Sequence, residues 1–180
     1  MIEINVPSSE AFNEKTNEFV PLKAYTLSLE HSLVSISKWE ANWKKPFLHS
    51  QKTPEEMLDY IKCMTISQNI PNEVYYRIPA SEVDRIAKYI DDSMTATTFS
   101  RIGDQKPHRR EIVTAEVIYY WMIQANVPYE CRKWHLNQLL TLLQVCAEKN
   151  KPPKKQSKKA LADHWSALNA ARRAKLHTKG

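Results

Sequence analysis

Two glycines in 180 residues, Gly103 and Gly180, limit this chain more than any other feature. Glycine enters left-handed backbone without a steric penalty, and several folds and sites depend on that freedom. A phosphate-wrapping loop needs a glycine-rich turn, a dinucleotide fold needs G-x-G-x-x-G, and a nucleophile elbow needs G-x-S-x-G. None of these patterns occurs. Tight hairpin turns also favour glycine, so a mostly β fold is disfavoured and helices are expected to dominate. Ten prolines supply the punctuation instead.

Charge divides the chain. The last thirty residues, KPPKKQSKKALADHWSALNAARRAKLHTKG, hold seven Lys, two Arg and one Asp, a formal +8. The whole chain carries +6, so residues 1–150 sum to 6 − 8 = −2. A body of 1–150 is long enough for a hydrophobic core, burying roughly 68–70% of the surface its unfolded chain exposes. Residues 151–180 then form a basic tail, cut off by the prolines and charges of KNKPPKKQSKK. The three cysteines, Cys63, Cys131 and Cys146, include no close pair and read as reduced thiols of a cytoplasm. No run of about 18 apolar residues is present, so no membrane partner is expected. The start, MIEINVPSSE, lacks the basic-then-apolar pattern of a signal peptide.

Periodicity predicts the elements. IEINV reads as a short strand, PSSEAFNEKTNEF as a loop, and AYTLSLE as a half-buried strand through Tyr25, Leu27 and Leu29. Helices follow. SLVSISKWEANW aligns Leu33, Ile36, Trp39 or Glu40, and Trp43. TPEEMLDYIKCM starts at an N-cap, Thr53, with Pro54 behind it, and aligns Met57, Tyr60, Ile61 and Met64. SEVDRIAKYI repeats the design, with Ser81 as cap and Val83, Ile86, Ala87 and Ile90 inside. SMTATTFSRIGDQKPHRR breaks the pattern as a loop. REIVTAEVIYYWMIQAN is apolar on nearly every side, which places it at the centre of a core. PYECRKWHLNQLLTLLQVCAEKN reads as a second long helix lined by Leu136, Leu139, Leu140, Leu143 and Cys146. The short NVP connection favours an antiparallel pair with its predecessor. The fold class expected is mainly α: one helical domain, a small N-terminal β or extended element and a basic C-terminal helical tail.

Few residues form a chemical set. Cys131 and His135 are spaced i, i+4 for one zinc ion, but no second pair is visible and a structural site wants four ligands. Glu111 is expected in the first turn of its helix. Glu116 lies in an apolar stretch beside Tyr119 and Tyr120, where a structural ion pair explains it more cheaply than acid–base catalysis. Asp91 and Asp92 are a further carboxylate pair. Trp39, Trp43, Trp121 and Trp134 sit at helical spacing, which suits core packing better than base stacking. No nucleophile, base and oxyanion site form a recognisable set, so no enzyme, cofactor or metal is expected.

The tail offers three readings. As a nucleic-acid arm, its bases would neutralise phosphates and release counterions. As a docking helix, Leu161, Trp165 and Leu168 at i, i+4, i+7 would fill a groove on a protein, with Arg172 and Arg173 setting rate and register. As a solvated tail it would do neither. An apolar stripe with a tryptophan favours the second, because a purely electrostatic arm does not need one.

Several long stretches carry a resemblance: LEHSLVSISKWEANWKKPFL, MTATTF, REIVTAEVIYYWMIQANVPYECRKWHLNQLLTLLQVC and LNAARRAKLHTKG. From about Leu29 to Gly180 the chain resembles the tail assembly chaperones of tailed bacteriophages, encoded just ahead of the tape measure protein. The resemblance implies a non-enzymatic, mainly helical protein of the infected bacterial cytoplasm. It would escort the tape measure protein, help recruit tail tube subunits and be absent from the finished virion. Many members are also made in a longer, frameshifted form. Homo-oligomers fit this picture. A nucleic-acid-binding or regulatory protein and a structural head–tail component are the other expectations.

Overall fold

The computed structural model describes residues 1–13, 17–98, 112–151 and 158–176, without side-chain detail at 13, 158–161 and 164. The KPHRR segment, Glu111 and most of the Pro/Lys linker lie outside the described residues. The chain forms two compact units, Met1–Ala147 and Glu148–Gly180. The structure is mainly helical with a small β element at the N-terminus.

Two antiparallel pairs make that element. β1 (Ile2–Val6) pairs with β4 (Tyr25–Leu29), in the register Ile2↔Leu29 to Val6↔Tyr25. Alternation buries Ile4, Val6, Leu27 and Leu29 on one face, as period-two patterning requires. β2 (Ser9–Asn13) pairs with β3 (Glu18–Leu22), so much of the segment read as a loop is a hairpin. Polar residues masked its alternation. Its Phe12–Phe19 cross-strand pair, with ring centroids 5.2 Å apart, is exposed and joins no core. Arg77 holds the base of this hairpin by donating to Pro7 O at 2.6 Å and Lys23 O at 3.0 Å.

β4 runs into α1 (Leu33–Trp43) through a Ser32–Ser35 capping box. α2 (Pro54–Met64) starts at Thr53 with Glu56 completing its own box, as its sequence announces. Leu33, Ile36, Trp39, Tyr60, Ile61 and Met64 fill the space between these helices and the sheet, but Met57 stays 39% exposed. Trp39 Nε1 donates to Glu56 O at 2.8 Å and Trp43 Nε1 to Asp59 Oδ2 at 2.9 Å, fixing the helix pair.

α3 (Asn72–Tyr75) is one turn. α4 (Ala80–Asp91) begins after Pro79, which gives it no side-chain cap, so Ser81 lies inside the first turn and is not the expected cap; the helix faces the core with Ile86 and Tyr89. Val83 and Ala87, expected inside, are exposed. The aromatic ring of Tyr89 wins the inner face because it reaches the polar junction at Glu30.

α5 (Ala115–Gln124) is not wrapped by core: Ala115, Ile118 and Met122 are buried while Tyr120 and Ile123 are exposed. Its main neighbour is α1, not the following helix. The expected long second helix is split into a 3-10 turn (Tyr129–Lys133) and α6 (Leu136–Lys149), which buries Leu136, Leu139 and Leu143. α7 (Lys158–Leu176) belongs to the second unit.

Two devices replace what the sequence lacks. Left-handed backbone falls on Asn17, Asn69 and Asn126, and on Lys44 and Met94. Asparagine tolerates this region best after glycine. Asn126 closes α5 in a Schellman arrangement, with Val127 N donating to Met122 O and Asn126 N to Ile123 O. The second device is Glu40. Thr114 gives α5 no side-chain cap. The buried Glu40 carboxylate, from α1, accepts from Ala115 N at 2.8 Å and from Phe47 N at 2.7 Å. A carboxylate at a helix N-terminus also meets the positive end of its dipole.

Both devices are testable by urea unfolding. Lys44→Gly, at a left-handed C-cap, is expected to stabilise the protein by roughly 0.5–1 kcal/mol, the net of relieved strain and added chain entropy. Glu40→Ala strands two buried backbone donors and is expected to cost roughly 2–5 kcal/mol. A change below about 1 kcal/mol would show that water replaces the carboxylate.

Candidate functional site

The tail residues singled out by sequence all fall on α7, nineteen residues from Lys158 to Leu176. Leu161, Trp165, Leu168 and Arg172 recur at i, i+4, i+7 and i+11, one stripe of a helix. Trp165 is 53% exposed, Leu168 is half-buried, and Arg172 and Arg173 are exposed. The Leu161 side chain lies outside the described detail. Arg173 and Lys175 stand in the last turn, where positive charge opposes the dipole's negative end. The helix therefore combines an aromatic, a leucine stripe and a cationic C-terminal end.

The body contains a buried polar cluster that sequence reading did not find. His31 Nδ1 lies 2.5 Å from Tyr60 Oη, and the His31 ring meets His135 edge-on at 5.0 Å. His135 Nε2 donates to Tyr89 O at 2.9 Å, and Nδ1 accepts from Asn137 N at 3.3 Å. Tyr89 Oη donates to Glu30 Oε1 at 2.6 Å. Burial holds the Tyr60 phenol far above its ordinary range, so its proton is available to His31 Nδ1. Burial first, then the neighbouring His135 and Lys52, pushes His31 down to about 3. Both histidines and Tyr60 are closed to solvent. A substrate cannot reach them, and the cluster's chemistry is that of a joint between β4, α2, α4 and α6.

The other expected chemical groups disperse. Cys131 sits in the 3-10 turn, and His135 is committed to Tyr89 and Asn137. No three His, Cys, Asp or Glu residues among the described ones are grouped to hold a metal ion. Glu116 is exposed, correcting the expected buried ion pair. Among the described residues the buried carboxylates are instead Glu40 and Glu56, the latter paired with Lys45 and bonded to Thr53 N at 2.9 Å. These contacts, the Lys45 hydrogen bond foremost, keep the Glu56 carboxyl below its usual range. The signal for Glu40 was present: an acid at the buried edge of the α1 stripe. Asp92 caps its own loop by accepting from Met94 N at 2.8 Å. Burial pushes the Cys63 thiol up to about 11, which suppresses the thiolate that nucleophilic attack requires. Trp39 is core and Trp134 is 42% exposed.

Described residues also line two surface grooves. A groove of about 510 Å³ is lined by Pro54, Leu58, Ile61, Tyr75, Tyr76 and Ile78, among others. A second, of about 440 Å³, is lined by Tyr119, Met122, Ile123, Asn126, Val127 and Tyr129. No helix among the described residues is long and apolar enough to cross a membrane. No protein-family profile, curated protein or solved structure matches this chain.

The His31 joint makes stability pH-dependent with a definite sign. Between about pH 6.5 and 3 the unfolded chain binds a proton at His31 that the folded one refuses. Stability due to this group is full above pH 6.5 and falls as pH drops, by up to about 1.4 kcal/mol per pH unit. Urea midpoints from pH 7.5 to 4.5 are expected to fall, with a shallower slope in His31→Gln. Equal slopes in both proteins would contradict the assignment.

Proposed function

We propose that this protein is a non-enzymatic tail assembly chaperone of tailed bacteriophages, binding the tape measure protein and recruiting tail tube subunits around it. The reading starts from the resemblance of the stretches between about Leu29 and Gly180 to that family. The physical observation that carries it is α7, a basic helix with Trp165 about half exposed at its middle.

A tape measure protein presents apolar helical surface before the tube encloses it, and such surface aggregates. A chaperone for it needs apolar anchors on a charged, tethered segment. Trp165, with Leu161 and Leu168, supplies the anchor, since tryptophan in a desolvated pocket is a common centre of binding energy. Arg172 and Arg173 supply steering and register against acidic positions. The protein acts in the infected cytoplasm and stays out of the finished particle. Cofactors and metals play no part in this reading.

The +8 tail also suits a nucleic acid, and the two partners separate by salt. A complex with six to ten phosphate contacts loses about 10³–10⁵ in affinity between 50 and 200 mM salt. Titration of the full chain with the tape measure protein is expected to show a much smaller loss. Trp165→Ala is expected to weaken that complex by about 30-fold or more, beyond any single lysine neutralisation. Tight duplex-DNA binding at physiological salt that ignores Trp165→Ala overturns the reading. Stoichiometric amounts of the chain in purified virions, measured by mass spectrometry, would favour a structural component instead.

A further inference from the structure

We infer that the outer face of α5 and the 3-10 turn after it is a self-association surface, and that its occupant is the same face of a second copy. α5 buries Ala115, Ile118 and Met122. Its opposite stripe, Glu116, Tyr119, Tyr120 and Ile123, repeats at i, i+3, i+4 and i+7. Ile123 is 77% exposed and Tyr120 60% exposed. A helix apolar on nearly every side is expected to be covered, and here one side is left open to water.

Shape on this face points to a twin. Tyr120, exposed and not part of the groove lining, is the knob of this face. The groove of about 440 Å³, with Tyr119, Ile123, Val127 and Tyr129 in its walls, is the hole. An isologous contact needs both on one patch, because residue i of one copy meets j of the other and j meets i. The hole's wall is ordered in the single chain: the Tyr119 and Tyr129 ring centroids lie 6.1 Å apart, and the Arg132 guanidinium stacks 3.9 Å over Tyr129.

Charge points the same way. The charged residues on these two elements are Glu116, Glu130, Arg132 and Lys133, two acids and two bases. Such a patch matches its own two-fold mate and offers little net field to a strongly acidic or basic partner. Arg132 forms no ion pair among the described residues, and its guanidinium is held in the patch by the Tyr119 hydroxyl and the Tyr129 ring. The inference concerns residues 115–133 alone and is independent of the tail reading.

Sedimentation velocity of the full chain over about 5 to 200 μM tests it directly. The expected result is a monomer–dimer equilibrium. Ile123→Glu is expected to weaken the dimer by about 30-fold or more with an unchanged far-UV circular dichroism spectrum. Tyr120→Glu, at another exposed position, serves if the first variant misfolds, and Trp165→Ala is expected to leave the dimer intact. A monomer throughout the range overturns the inference. So does a dimer indifferent to both α5 substitutions, or one lost on Trp165→Ala. A species larger than a dimer overturns it too, because an isologous contact closes at two.

Discussion

The backbone of Ser28 to Ser32 is the joint on which the body depends. On one edge it pairs with β1 through Glu3↔Ser28 and Ile2↔Leu29. On the other, Ile66 N donates to Ser28 O at 2.8 Å and Glu30 N to Met64 O at 3.0 Å. Leu136 N then donates to His31 O at 2.7 Å, and Ser32 bridges to His135. Five residues thus tie the sheet, the end of α2 and the start of α6. A buried backbone group without a partner costs about as much as a lost hydrogen bond. Each of these segments is therefore held where it can satisfy the others.

Side chains reinforce the same joint. His31 and Tyr60 link it to α2, His135 and Tyr89 to α4, and Tyr89 closes on Glu30. Glu40 makes a second tie one helix further on, joining α1 to Phe47 and to the uncapped start of α5. These polar groups are buried, yet nearly all are satisfied, so they specify one arrangement. What the body offers outward is shape and apolar surface, on α5 and in the α2–α4 groove.

Elements were legible where local signals agreed. Thr53 and Pro54 announced α2, and the Leu27/Leu29 alternation announced β4. Legibility failed where the deciding partner is distant in sequence. The α4 stripe turned toward Tyr89 because its hydroxyl reaches Glu30, fifty-nine residues away. The start of α5 moved to Ala115, whose cap comes from Glu40, seventy-five residues upstream. His31 and His135 looked unrelated in sequence, and no spacing rule brings them to ring contact.

The sequence by itself determined the helical character, the caps of α2 and the division of charge between body and tail. Each of these rests on a residue's own backbone preference or on neighbours within one turn. With glycine scarce, the structure sets three asparagines among its left-handed positions. Only the tertiary structure decided which face of each helix is inside and which carboxylates are buried. It also decided that α5, apolar nearly all round, presents Tyr120 and Ile123 to solvent. The reason is geometric. Burial depends on what packs against a helix, and α5 has α1 as its principal neighbour, which covers one side and leaves the other open.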